Sequence, residues 1–175
     1  MIKSLYFSGI SGAGKSTLAA GLMQRGYQLL SDDISVVSLD KHPTPFVYAG
    51  YPGMKLWVDS MLKLGFKPEN YIRVREKLNK HHLSIGSDFN PAGMPLKGIY
   101  MLQTRNSDGI IIEPIKGIEK FNALKNNTYR LNFIKGIGNT ESHFRHLSAI
   151  ATSCDVKRIT RSSKGFDLNR LLNKN

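Results

Sequence analysis

The sequence predicts an α/β fold of the P-loop nucleotide-binding class, and three observations predict it. Gly9-Ile10-Ser11-Gly12-Ala13-Gly14-Lys15-Ser16 completes the phosphate-loop pattern, an apolar run stands before it, and a helical pattern follows it. The next apolar run then ends on an acidic pair, Asp32-Asp33.

Each element follows in order. Ser4-Leu5-Tyr6-Phe7 ends at glycines and reads as a buried strand. Ser16 to Gln24 places Leu18, Ala19 and Leu22 at helical spacing, with Gly26 where a C-cap glycine belongs. Tyr27 to Leu30 reads as a second strand stopped by Ser31-Asp32-Asp33, and Ile34 to Leu39 resumes strand character. Lys41 to Gly53 is rich in proline and glycine, which predicts a loop or an edge hairpin. Leu56 to Leu64 predicts a helix, with Trp57, Leu56 and Leu64 packing it onto the sheet. Lys67 to Pro95 has weak periodicity and is expected to be a mobile or substrate-facing excursion. Gly98 to Gln103 and Gly109 to Ile112 predict two strands joined as a hairpin through Asn106-Ser107-Asp108. Helices are expected over Ile118 to Leu124, Arg130 to Ile134 and Glu141 to Ala151, a last strand over Val156 to Thr160, and a closing helix over Leu168 to Leu172.

Length and composition bound the rest. A chain of 175 residues fits one domain, 1–175, because domains of this size bury roughly 70% of their unfolded surface. Hydrophobic residues at 41% and charged residues at 22% exclude a disordered chain. No run of apolar residues is long enough for a membrane-spanning helix, and the first residues carry no cleavage-site pattern. The single cysteine, Cys154, cannot form an internal disulfide and is expected to be a packed thiol. These features together predict a cytoplasmic protein that does not engage a membrane. A formal charge of +12 calls for an anionic partner, but Lys and Arg are spread along the chain, which argues against a nucleic-acid stripe.

The motif supplies the chemistry. Its glycines let backbone N–H groups converge on phosphate oxygens, the helix start adds positive potential, Lys15 bridges the terminal phosphates, and the Ser16 hydroxyl can ligate Mg²⁺. Gly9, Ser11, Gly12, Ala13, Gly14, Lys15, Ser16 and Thr17 are therefore the expected nucleotide-binding residues. No Asn-Lys-x-Asp base-reading motif is present, so ATP is expected rather than GTP. Of Asp32 and Asp33, one can hold the metal and the other can accept a proton from an attacking hydroxyl.

The run Arg25-Gly26-Tyr27-Gln28-Leu29-Leu30-Ser31-Asp32-Asp33, at its spacing after Gly-Lys-Ser, resembles the catalytic domain of bacterial HPr serine kinase/phosphorylase. Gly50-Tyr51-Pro52-Gly53-Met54-Lys55-Leu56-Trp57-Val58-Asp59-Ser60 is similar to the loop and helix that follow in the small stand-alone branch that includes lasso-peptide precursor kinases. The resemblance is sharp over residues 4–65 and also touches Pro95 to Tyr100 and His143-Phe144-Arg145. It implies a P-loop fold of the HPr kinase and phosphoenolpyruvate carboxykinase type, with a mixed central sheet flanked by helices. It also implies Asp32 as the catalytic base, Asp33 and Ser16 as the Mg²⁺ ligands, and Lys15 as the catalytic lysine on the transferring phosphoryl group. The implied partner is a peptide or small protein with an acceptor serine, and self-association into a homo-oligomer is a further expectation.

Two other classes stay open at this point: a small-molecule kinase, and a regulatory module that binds ATP without transferring phosphate. Arg130, Arg145, Arg158 and Arg161 are candidates to stabilise the transferred phosphoryl group, with no sequence signal to choose among them. His81 and His82 read as a solvated pair in a basic stretch.

Overall fold

The computed structural model describes residues 3–39, 44–106, 109–163 and 170–171. It is α/β, with a mixed sheet and helices. The chain, read from its length as one domain, forms two compact units among the described residues. One comprises residues 3–13, 37–47 and 94–163, and the other residues 14–36, 48–93 and 170–171.

The first unit is built on a six-stranded sheet. Its central strand, β7 (Met94–Arg105), is apolar from Gly98 to Leu102, and Leu96, Ile99, Met101 and Leu102 are buried, as suits a strand in the middle of a sheet. β1 (Ser4–Gly9) runs parallel to it from Ser4 opposite Leu96 to Gly9 opposite Leu102. On its other side lies β9 (Asp155–Ser162), also parallel, and β8 (Ile110–Pro114) pairs antiparallel with β9. β2 (Val36–Ser38) and β3 (Phe46–Tyr48) extend the sheet, with β3 antiparallel to the start of β7. α3 (Gly117–Asn126), α4 (Leu131–Gly136) and α5 (Thr140–Ser153) lie between β8 and β9 in the chain. Leu124, Leu147, Ile150, Ile99, Val156 and Ile159 are buried in this unit. Ser8 Oγ donates to Asn127 Oδ1 at 2.8 Å and ties β1 to the end of α3.

The expected hairpin over 98–112 does not form, because β9 inserts between β7 and β8. Ser107 and Asp108 of the proposed turn lie outside the described residues, as does most of the closing helix over 168–172.

The second unit holds α1 (Lys15–Met23), α2 (Val58–Lys63) and a three-stranded antiparallel sheet ordered β4 (Gly53–Trp57), β6 (Leu78–Ser84), β5 (Arg73–Arg75). Met54, Leu56, Leu83, Ile85, Met61, Ala20 and Leu29 form its core. Residues 53–57, expected to fall partly in a loop and partly in a helix, are strand, and the helix begins at Val58. Trp57 is correspondingly exposed rather than packed on the core. Tyr27 to Leu30, expected as a strand, contributes one bridge, Leu29 to Phe89. Residues 67–95, read as an excursion, contain β5, β6 and short 3-10 turns at Pro68–Asn70 and Gly86–Asp88. Among the described residues no helix is long and apolar enough to cross a membrane. Cys154 is buried, its thiol 3.6 Å from the Leu96 carbonyl.

Candidate active site

The phosphate-loop motif lies where the sequence places it, with Gly9 ending β1 and Lys15 opening α1. Gly9 is required for two reasons. Its φ is 139°, and a Cβ there would stand 2.3 Å from the Leu102 carbonyl oxygen of the paired strand. Gly14 caps α1 in the left-handed region, at φ 98° and ψ 17°, and its carbonyl accepts the Leu18 N–H at 2.9 Å. The Ala13 N–H closes a tight turn on the Ile10 carbonyl at 3.2 Å. No side chain caps the helix start, and its first turn carries no carboxylate of its own.

In the first unit, the loop is held by Arg161 on β9. Its Nε donates to the Ala13 carbonyl at 2.9 Å and its Nη2 to the Gly12 carbonyl at 3.3 Å, while Nη1 reaches the Ser162 carbonyl at 3.0 Å. The guanidinium is buried, and burial lowers its pKa from the ordinary arginine value. Arg161 thus engages backbone carbonyls with three nitrogens. The other candidate arginines have other contacts. Arg158 is paired with Glu113 and Glu119, Arg145 with Glu141, and Arg130 lies over the rings of Tyr129 and Phe133.

In the second unit, Lys15, Ser16, Asp32 and Asp33 come together. Ser16 Oγ donates to Asp32 Oδ1 at 3.2 Å. The other Asp32 oxygen accepts the Lys55 backbone N–H at 2.9 Å, a donor on the edge of β4 that does not face β6. Asp33 has φ 53°, a conformation Asp tolerates better than most residues, and the Ile34 N–H folds back on the Asp32 carbonyl at 2.5 Å. That turn separates the two carboxylates, and Asp33 Oδ2 pairs instead with Lys55 Nζ at 3.2 Å. Thr17 faces α2, its hydroxyl 2.7 Å from that of Ser60. Burial lowers the pKa of Lys15, the Asp33 and Asp32 charges act to raise it, and Lys80 lowers it further.

Lys15, Ser16 and the acidic pair, singled out in the sequence, lie near one another, with the hydroxyl of Ser16 against Asp32 and not Asp33. The sequence reading does not find Lys55, whose backbone and ammonium address both carboxylates. A period-two reading of Met54 to Trp57 is the signal that could have shown it. His82 is exposed, as expected for a solvated group, whereas His81 is buried on the core face and its Nδ1 has no hydrogen-bond partner among the described residues. Compared with family models, curated proteins and solved structures, the chain matches none.

Proposed function

We propose that this chain is a Mg-ATP-dependent kinase that transfers the γ-phosphoryl group to a hydroxyl, a serine of a peptide or small protein, on a P-loop fold of the HPr kinase type. The observation that carries the proposal is the contact of the motif serine with a carboxylate at the end of the following segment, Ser16 Oγ to Asp32 at 3.2 Å. In P-loop phosphotransferases such a pair holds the metal.

The donors fit Mg²⁺. A hydroxyl and a carboxylate are hard oxygen ligands, and Mg²⁺ commonly takes one or two carboxylates and completes its shell with phosphate and water. Among the described residues no three His, Cys, Asp or Glu side chains converge into a protein-only site, so a cation here would depend on the nucleotide for its remaining ligands. When bound, it would neutralise charge building on the transferring group.

The chain's own residues take the remaining roles. Lys15 binds and orients the terminal phosphates, and the start of α1 from Gly14 to Thr17 offers its amides to them. Ser16 and Asp32 form the metal side, Asp32 being fixed by the Lys55 N–H. Asp33 is left to accept the proton of the acceptor hydroxyl, oriented by Lys55 Nζ. This exchanges the roles of the two aspartates relative to those the resemblance implies.

Incubation with labelled ATP and serine-containing peptides tests the activity, and two variants test the roles. Asp32→Asn is expected to raise the Mg²⁺ concentration needed for ATP binding, while Asp33→Asn binds Mg-ATP normally and transfers phosphate slowly. Absence of phosphoryl transfer and ATP binding in the wild-type chain would refute the proposal; the reverse pattern in the variants would restore the original role assignment.

A further inference from the structure

We propose that the outer face of the three-stranded sheet, formed by Lys55 and Trp57 on β4 with Lys80 and His82 on β6, docks an acidic peptide segment. Its identification as the segment carrying the acceptor hydroxyl rests on the kinase reading above; the docking surface itself does not.

The register makes the face. Lys55 stands opposite His82 and Trp57 opposite Lys80, and residues directly opposite in an antiparallel pair share a side of the sheet. The alternate residues, Met54 and Leu56 on β4 and His81 and Leu83 on β6, are buried on the core side. Arg75 opposite Leu78 continues the outer side onto β5. Trp57 is 46% exposed, and the Lys80 ammonium lies 5.9 Å from its ring centre. Asp33 is the carboxylate that reaches this face, through Lys55; among the described residues neither Lys80 nor Arg75 has an ion-pair partner. A positive face with one exposed aromatic calls for an anionic occupant with some apolar character.

Extent selects a peptide over a small anion. The basic groups are spread over three strands, Lys55 on β4, Lys80 and His82 on β6 and Arg75 on β5, and β4 alone, five residues at about 3.3 Å each, spans roughly 15 Å. A single carboxylate or phosphate would need cations converging on a point. A single-stranded nucleic acid would be expected to find successive stacking rings, and this face offers one. Lys55 joins the face to the acidic pair, since its ammonium meets Asp33 and its N–H meets Asp32. The charge of Lys80 is also felt at Lys15, which places the face beside the phosphate-binding lysine.

Trp57 is the only tryptophan, so its emission reports on this face directly. The full chain without nucleotide would be titrated with the peptide Glu-Glu-Ser-Leu-Glu, its Lys-Lys-Ser-Leu-Lys counterpart, inorganic phosphate and a short single-stranded DNA. The acidic peptide alone is expected to give a saturable change whose midpoint rises steeply with sodium chloride. Lys80→Glu, which reverses a charge on this face, and independently His82→Glu, which adds a negative one, are expected to shift that midpoint by about tenfold. No saturable change, wild-type midpoints in both variants, or an equal response to phosphate or DNA would each overturn the docking surface. Calorimetry with Mg-ATP on the same sample separates the two proposals. Peptide binding without ATP binding refutes the kinase reading and leaves the surface standing, and ATP binding without peptide binding does the opposite.

Discussion

Replacing Arg161 with methionine removes the side chain that holds the glycine-rich loop at Gly12 and Ala13 from β9. The variant loses donors to the Ala13 and Gly12 carbonyls, at 2.9 and 3.3 Å, and leaves Ala13, which is 1% exposed, with an oxygen that water cannot easily reach. A hydrogen bond from a charged donor contributes about 1.5–3 kcal/mol, and the longer of these two sits at the weak end. Against this, the variant no longer buries a guanidinium, whose desolvation is already visible in its lowered pKa. The net loss is about 2–4 kcal/mol, or roughly 5–15 °C in melting temperature for a chain of this size. Thermal and urea unfolding at fixed ionic strength measure it. Arg161→Lys keeps the charge but not the fork, and is expected to recover less than half of the loss. Arg130→Met, which removes an arginine lying over Tyr129 and Phe133 on the surface, supplies the comparison at about 1 kcal/mol or less. Equal stability of Arg161→Met and wild type, or equal effects at positions 161 and 130, would refute the clamp.

Three further outcomes follow from the same structure. Gly9→Ala forces a Cβ against backbone at 2.3 Å, whereas Gly12→Ala, at φ 81° with open space around it, meets only backbone strain; melting should fall by about 2–5 kcal/mol in the first and about 1–2 in the second, and equal melts would contradict the geometry. Burial lowers the Lys15 pKa, so the affinity of the wild-type chain for inorganic phosphate, followed by calorimetry, should decline with rising pH before the ordinary lysine range is reached, and Lys15→Arg should remove that decline. The His143 pKa is lowered, first by burial and then by His146 and Lys125, so the unfolded chain takes up this proton at higher pH than the folded one; stability should fall as pH drops through the ordinary histidine value, and His143→Gln should flatten that part of the urea-unfolding profile.

What the sequence made legible is what short-range chemistry decides. β1, α1 and the turn between them are written in apolar periodicity and in glycines at fixed offsets, and α3, α5 and β9 lie within a few residues of their expected ranges. Strand order was not legible, because the placement of β9 between β7 and β8 depends on pairing across distant segments. β4 was hidden for another reason. Its inward pair Met54 and Leu56 and its outward pair Lys55 and Trp57 run straight into α2 with no glycine or proline between them, so no breaker marks where the strand ends and the helix begins. β6 was hidden because a histidine occupies an inward position: His81 breaks the apolar alternation that Leu83 would otherwise mark.

The candidate site divides along the same line. Lys15, Ser16 and the aspartates announce themselves by type and spacing, yet which aspartate meets Ser16 is set by the backbone of Asp33. At φ 53° it turns one carboxylate toward the helix start and the other toward Lys55. Lys55 then acts through two groups that sequence reasoning treats separately, a strand-edge N–H and a flexible ammonium. The arrangement has an electrostatic consequence. With both aspartates in contact with hydrogen-bond donors of the chain, the positive charge of Lys15 is partly balanced while Lys80 stays unpaired among the described residues, so the region keeps a cationic excess. A dianionic phosphate approaching Lys15 and an acidic peptide approaching Lys80 would each relieve that excess, and each would weaken the field drawing in the other. Prior saturation with phosphate should therefore weaken acidic-peptide binding, and a peptide midpoint that stays unchanged or tightens would refute that coupling.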